Sequence, residues 1–539
     1  MNNIHTLEEL FISSVSKYAD LTVNMMAGTD IRQTYSAMGQ SAERISEMLS
    51  QHGIGAGDKV AIYSAGHVNW ISVFFSAVAF GRVAVPLLPD FSENEVNNIV
   101  LHSEAKAIFV SKKCYQKISE NLRSTLPLIV DIETLEILAD NSGSVEFAKT
   151  GHSGPNDLAV LIYTSGTTGT AKGVMLTHDN FVSMVESCYS VFRIGKDDVL
   201  LSVLPLAHAY EMSLGMLYPF SAGSSVCYLT KAPTPSVLSK TLADVRPTAM
   251  LVVPLIIEKV VNNLVLPKIR KSKVLSWMDR NMHGILLRII GREMIKSFGG
   301  RLVFLGIGGA KLDVNVEKVL KDAHFPYYIG YGLTECAPLL SIACFKDTVP
   351  GSIGFPIKGV EMKLHNVNPE TGEGEIIARG RNIMPGYYKD PERTAGVFTE
   401  DGWFRTNDLA SMDKKGRYAI KGRLGNMIVG ASGENIYPEE IESIFNKLSY
   451  VEDAIVISRN KKLVALVKLT DGLIDFQKIK NSDEKKKMEE LRSNTADYVN
   501  SQVNTSSHIH SVEFMKEPFK KTATMKIRRF LYKDDSPSV

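Results

Sequence analysis

The sequence predicts an α/β protein with a large first domain and a smaller α+β domain at its C-terminal end. Three observations lead there. From about residue 55 to 380, short β-rich runs alternate with helical segments. Within that stretch a loop rich in glycine and threonine directly follows an apolar strand. Near residue 424 the pattern changes, and residues 427–532 carry enough apolar sequence for a core of their own. A length of 539 residues fits two or more domains better than one.

Taken in order, Leu7, Leu10, Phe11, Val15 and Tyr18 follow helical spacing and predict an amphipathic helix docked on the body. The most apolar window, residues 70–89, is interrupted by Gly81, Arg82 and Pro86. It reads as a buried helix to about Phe80 followed by a short buried strand, because a membrane span needs about 20 uninterrupted apolar residues. AVLIY (159–163), TAMLVVP (248–254) and RLVFLGIGG (301–309) read as buried strands. Residues 179–192 and 313–323 read as helices capped by Asp179 and Asp313. Residues 267–298 form a basic helical insertion in which Trp277, Met278, Met282, Leu286 and Ile289 make one apolar face, packed on the main domain or set at a substrate entrance. In the last part, 439–448 predicts a helix, AIVISRN and KLVALVKLT predict strands, and 482–503 predicts a charged helix whose run at 483–490 is a solvated face.

Composition narrows the function. Lys plus Arg total 61 against 59 Asp plus Glu, so nothing points to nucleic acid as a partner. The five cysteines, Cys114, Cys188, Cys227, Cys336 and Cys344, form no C-x-x-C pair. They predict neither a disulfide framework nor a zinc site, and they suit a reducing cytoplasm. The N-terminus has no signal-peptide pattern; peripheral membrane contact stays open, and the sequence does not fix the oligomeric state.

The loop lies in YTSGTTGTAKGVMLTH (163–178). Gly166, Gly169 and Gly173 let the backbone turn tightly and approach a ligand. Free N–H groups, the hydroxyls of Thr164, Ser165, Thr167 and Thr168, and the Lys172 ammonium suit a polyphosphate. The loop is no Walker A motif, because Ala171 precedes Lys172 and Gly173 follows it.

Five further stretches follow in order: LPLAHAYE (204–211), GGA (308–310), YGLTE (331–335), WFRTNDLA (403–410) with KGRLGNMIVGASGENIYPEEIE (421–442), and KTATMKIRRF (521–530). With the loop, this series resembles the adenylate-forming superfamily over nearly the whole chain, and most of all its long-chain fatty acyl-CoA synthetases. The resemblance implies a large N-terminal domain of stacked α/β layers plus a distorted β-barrel over 1–423. It also implies a hinge at 424–426 and a small mobile lid over 427–539. It implies ATP and Mg²⁺, a fatty acid substrate activated as its acyl-adenylate, and coenzyme A as the thiol acceptor. An acyl carrier protein is the alternative acceptor, and a non-catalytic adenylate-binding protein is the reading from outside enzymology.

Residue by residue, the resemblance implies that Thr164, Ser165, Gly166, Thr167, Thr168, Gly169 and Lys172 hold phosphates. Gly309 and Ala310 would line the adenine pocket, Tyr331 would stack on adenine, Gly332 beside it would also contact the nucleotide, and Thr334 would contact the α-phosphate. Glu335 would be the magnesium ligand, and Asp408 with Arg423 would bind ribose. Lys526 would be the catalytic lysine, and His208, also placed among the catalytic residues, would flank the acyl pocket and hold the substrate carboxylate or gate the thiol path. Ser432, Gly433 and Glu434 would lie on the coenzyme A side. At the hinge, Gly425 departs from the family's usual Asp or Lys. Asn407 stands where many members have Gly, a substitution asparagine tolerates because it accepts turn conformations. Met212, Leu214, Met216 and Leu217 are either acyl-site lining or ordinary core.

Overall fold

The computed structural model describes residues 4–165, 171–429, 435–459, 462–470, 472–474, 482–522 and 526–532. The phosphate-loop candidates Gly166, Thr167, Thr168 and Gly169 and the thiol-side candidates Ser432, Gly433 and Glu434 lie outside the described residues.

Two large sheets carry the N-terminal part. In one, the parallel strands Val83–Leu87, Lys59–Tyr63, Ala105–Val110 and Leu128–Asp131 are joined by Leu158–Ser165 and then Ala171–Thr177. The last two pair antiparallel, with Ser165 opposite Ala171, so these two strands flank the glycine- and threonine-rich stretch in sequence. In the other, Ser225–Tyr228, Val199–Ser202, Ala249–Val252, Phe304–Ile307 and Tyr327–Gly332 run parallel, and Leu339–Cys344 returns antiparallel. A third, antiparallel sheet of Val360–His365, Glu373–Gly380, Phe404–Met412 and Tyr418–Arg423 follows.

The apolar window folds as read. Helix Val68–Val78 is mostly apolar and buried on every side save at Asn69, with Trp70, Phe74 and Phe75 fully enclosed, and strand Val83–Leu87 follows it. Arg82, between them, is fully buried. Its guanidinium donates to Ile54 O (2.9 Å), Ser46 Oγ (2.8 Å), Ser50 Oγ (2.8 Å) and the carbonyls of Ser46 and Ser76 (3.1 Å each). It therefore ties helix Tyr35–Gln51 to the end of helix Val68–Val78, and burial lowers its pKa to about 10.

The N-terminal helix Leu7–Lys17 is closed by a Thr6–Glu9 capping box. Its first N–H donates to Nδ1 of buried His178 (3.2 Å), at the start of helix His178–Val191. That second helix corrects one expectation. Its cap is Thr177, in extended backbone, whose hydroxyl accepts from Asn180 N–H. Asp179 lies one residue inside the helix, where it binds Arg381 instead. Asp313 does cap helix Val314–Asp322.

The insertion also departs from expectation. It breaks into helices Leu266–Lys271, Lys273–Asn281 and His283–Ser297, so the five apolar residues do not share one packed face. Leu286 is buried, whereas Trp277 is 54 % exposed and Ile289 45 %.

After residue 426 the chain forms a separate small core. Helix Pro438–Phe445 and helix Ser482–Asn500 pack on strands Val451–Arg459, Lys462–Leu469 and Ser511–Met515 around Phe445, Ala465, Val467 and Val499. In the charged run, Met488 turns inward while Lys485, Lys486, Lys487, Glu489 and Glu490 face solvent.

Arg82 generates a stability prediction. Arg82→Leu leaves buried carbonyls without donors and should lower unfolding stability by about 3 kcal/mol. A denaturant midpoint equal to wild type would show that the arginine is not structurally required.

Candidate active site

The site lies where the three sheets of the N-terminal part meet. From the hairpin comes Lys172, opposite Thr164 in register. From the turn after strand Tyr327–Gly332 comes Glu335. The two form an ion pair, Nζ to Oε1 at 2.9 Å. Tyr387, on a short strand paired with the hairpin, donates its hydroxyl to the same Oε1 (2.9 Å) and accepts from Lys172 (2.9 Å). The ammonium also stands 4.5 Å from the Tyr387 ring centre. Burial opposes ionisation of Glu335, but Lys172 and Tyr387 outweigh it and hold the carboxyl below its ordinary range. Sequence reading missed Tyr387; its signal, a Pro-Gly-Tyr-Tyr turn at 385–388, resembles many turns.

A second cluster adjoins. Asp408 and Arg423 are cross-strand partners in the third sheet and pair at 3.0 Å. The Tyr331 hydroxyl donates to the other oxygen of Asp408 at 2.8 Å. Burial pushes the Asp408 carboxyl up, and Arg423 and Tyr331 pull against it. Asn407 has φ +61°, the left-handed region that asparagine tolerates better than most residues. Its N–H donates to Glu375 (3.1 Å), which is itself paired with Arg405. The asparagine thus meets the conformational demand that glycine meets elsewhere, and it lets Asp408 turn inward.

Other sequence-derived positions separate by role. Thr164 Oγ1 is buried without a hydrogen-bond partner among the described residues, at the mouth of the loop. Ser165 ends its strand opposite Ala171. Gly309 has φ +86°, and Ala310 beside it is exposed. Gly332 answers a packing demand: a Cβ there would lie 1.8 Å from the Pro338 carbonyl oxygen. Thr334, half-buried, opens the turn that carries Glu335. Gly425 sits in the short turn Leu424–Asn426 outside the left-handed region, and a Cβ there would make only ordinary contact with Asn407, at 3.5 Å. This pose therefore does not itself require the glycine.

Lys526 reaches the site from the C-terminal part. Its ammonium is within electrostatic reach of Arg423, Asp408, Glu335 and His208. The side chain keeps contact with solvent, yet the surrounding walls strip enough water that desolvation, then Arg423, lowers its pKa. His208 is pushed down to about 4 by burial and by Lys526, so its imidazole is neutral at pH 7. Bonds across the two parts hold this pose: Arg528 to Glu95 (2.8 Å), Lys447 to Asp313 (3.3 Å) and Tyr437 to Glu373 (2.7 Å).

An apolar cavity of about 30 Å³ is lined by Leu214, Tyr218, Leu251, Phe304, Leu339 and Ile342, among others. These residues come from the segments that follow His208, precede Gly309 and follow Glu335. Of the four candidates near His208, Leu214 lines this cavity, and Met212, Met216 and Leu217 are fully buried core.

As for a metal, no group of three or more clustered ligands exists among the described residues. One ionised carboxylate, Glu335, does fit Mg²⁺ that takes its remaining ligands from phosphates and water.

Residues 11–388 match the family model described as AMP-binding enzyme. Fatty acyl-CoA synthetase A of Dictyostelium discoideum is 30% identical over 79% of this chain and 70% of its own. A chloroplastic long-chain-fatty-acid–[acyl-carrier-protein] ligase, AEE15 of Arabidopsis thaliana, is 27% identical over 97% of this chain and 84% of its own. Among solved structures, the o-succinylbenzoate CoA synthetase of Bacillus subtilis with its acyl-adenylate superposes with a TM-score of 0.76. It is 20% identical, over 97% of this chain and 98% of that one, and shares the fold.

The Glu335 cluster yields a prediction. Glu335→Ala should raise the Mg²⁺ concentration for half-maximal activity by on the order of tenfold. Unchanged activity at limiting Mg²⁺ would remove Glu335 as a metal ligand.

Proposed function

The chain belongs to the AMP-binding enzyme family, and on that premise we propose that it is an ATP-dependent long-chain fatty acyl-CoA synthetase. The observation that carries this reading is the convergence of Lys172–Glu335, Tyr331–Asp408–Arg423 and Lys526 on one cleft.

In the first half-reaction, a carboxylate oxygen of the fatty acid attacks the α-phosphorus of ATP. The bond from that phosphorus to the bridging oxygen breaks, and pyrophosphate leaves with the electron pair. In the second, the thiolate of coenzyme A attacks the acyl carbon, and AMP leaves. The loop at 164–172 and the Lys172 ammonium hold the outer phosphates. Asp408, ionised beside Arg423, accepts hydrogen bonds from the ribose hydroxyls, and Tyr331 flanks the base. Lys526 donates to the oxygens on which charge builds during the first step, in a cleft already partly stripped of water. Neutral His208 orients the carboxylate without adding charge of its own. Mg²⁺ bound through Glu335 would offset phosphate charge.

The domain arrangement belongs to the same reading: residues 1–423 as body, 424–426 as hinge, 427–539 as lid. The described pose, with Lys526 inward, suits adenylation. Thiol attack needs the lid to rotate, breaking the Arg528–Glu95 and Lys447–Asp313 pairs, so that the region of Ser432, Gly433 and Glu434 faces the acyl-adenylate. Similarity to AEE15 over nearly the whole chain favours one alternative, in which a carrier-protein thiol takes the acyl group. All five cysteines are unpaired, which suits the reducing cytoplasm.

The decisive test incubates the protein with Mg-ATP and a ladder of fatty acids, with and without coenzyme A, and follows acyl-CoA by mass. Thioester peaking at long chains is the expected outcome. Acyl-adenylate that persists when coenzyme A is present would move the acceptor to a carrier protein.

Two variants test the division of labour. Lys526→Ala should cut adenylation by about a hundredfold or more yet spare thioester formation from supplied acyl-adenylate, and equal loss of both would refute its assigned role. Gly425→Pro should slow the thioester step more than adenylation, whereas parallel slowing would argue against the hinge.

A further inference from the structure

The helical insertion has an outer surface that the reaction does not use. Between residues 266 and 297 there are eight Lys and Arg against two Asp and Glu, a net of +6 in a chain of net +2, so the remainder carries −4. The two acids are already engaged, Asp279 with His283 and Glu293 with Lys296. Lys273, Arg280, Arg288 and Arg292 have no carboxylate partner among the described residues.

Helix His283–Ser297 is seated firmly. Leu286, Leu287 and Met294 are buried, and Gly291 passes so close to the next helix that a Cβ would lie 2.0 Å from the Ala323 carbonyl oxygen. That seating fixes the opposite face outward. On it, at helical spacing, stand Ile285, Arg288, Ile289, Arg292 and Lys296. Ile285 is 49 % exposed and Ile289 45 %. The preceding helix, Lys273–Asn281, buries none of its residues and groups Lys273, Val274, Trp277 and Arg280 on one side, with Val274 67 % and Trp277 54 % exposed. An ordinary surface helix puts its apolar residues inward and its charges outward. Here isoleucine, valine and tryptophan protrude among cations.

We propose that this segment docks the protein on the anionic surface of a lipid bilayer. Cations meet the headgroups while Trp277, Val274, Ile285 and Ile289 enter the boundary with the acyl chains, the arrangement of interfacial helices. Tryptophan is the side chain most at home at that depth. No described helix is long and apolar enough to cross a membrane, so attachment of this kind is peripheral. An acidic protein partner would satisfy the cations, but the apolar side chains stand singly between charges and offer it no continuous patch to cover.

The chain supplies its own reporter. Of its three tryptophans, Trp70 is fully buried and Trp403 is 7 % exposed, so a change of solvent at Trp277 dominates any change in fluorescence. The full chain is mixed with vesicles of phosphatidylcholine alone or of phosphatidylcholine with phosphatidylglycerol. Binding is read by sedimentation, and Trp277 by emission maximum and acrylamide quenching. The expected result is binding to the anionic vesicles with a blue shift and reduced quenching, reversed by raising KCl. Arg288→Glu with Arg292→Glu should weaken it by about tenfold or more. Should that variant melt below wild type, Lys273→Glu with Arg280→Glu on the neighbouring helix serves in its place. Equal binding to neutral and anionic vesicles, or binding without a change at Trp277, overturns the proposal. So does protection of Trp277 by an acidic carrier protein but not by vesicles.

Discussion

A carboxylate buried as deeply as that of Glu335 stays ionised only if a cation and a donor are held against it. Lys172 and Tyr387 meet that requirement, and both come from a different sheet. The ion pair is therefore also the place where the two large sheets are locked at the site. Gly332 lets the backbone pass Pro338 closely enough to bring the Glu335 turn to the hairpin. Asn382 holds the far side of that turn by donating to the carbonyls of Cys336 and Leu339 (2.9 Å each). The Asp408 cluster depends on a parallel device in the third sheet, where the left-handed Asn407 allows Asp408 to face Arg423 and Tyr331. Polar groups of this kind cannot be buried one at a time. Each is present because its partner is.

The sequence made the strands and the order of the site segments legible because both are written in local pattern. The run 159–163 is apolar enough to be a buried strand and nothing else, and the enclosed helix over 68–78 is mostly apolar. Asn407 was also legible, since the one property the position demands is tolerance of positive φ. What stayed hidden was decided across the fold. Tyr387 looks like any residue of a Pro-Gly turn until the hairpin is placed beside it. Thr177 and Asp179 both suit a helix cap, and only the direction in which the chain enters the helix separates them. The insertion reads as one amphipathic helix, but breaks at Ser272 and Met282 turn its apolar residues in different directions.

The C-terminal part has a core of its own, and among the described residues polar pairs such as Arg528–Glu95, Lys447–Asp313 and Tyr437–Glu373 tie it to the body. Ion pairs that keep contact with solvent, as these do, contribute little individually, on the order of 1 kcal/mol or less. An interface of that sort can hold a pose and still let it go, which is what delivery of Lys526 in one step and its withdrawal in the next would require. The glycine at 425 meets no demand in the described pose. Its usefulness, if it lies in the backbone, belongs to a different arrangement of the same two bodies.

The Lys172–Glu335 pair also bears on the order in which charges can enter the cleft. A tethered ammonium beside a carboxylate is a resident counter-ion, present at an effective concentration that a dilute free cation does not match. A divalent ion arriving alone must compete with it. One arriving with a polyphosphate need not, because the phosphates give Lys172 somewhere else to go. With Glu335 and Lys172 in the roles proposed above, metal and nucleotide would be linked through a single side chain, each favouring the other by the same free energy. On those roles the cleft would answer more strongly to the two together than to either alone.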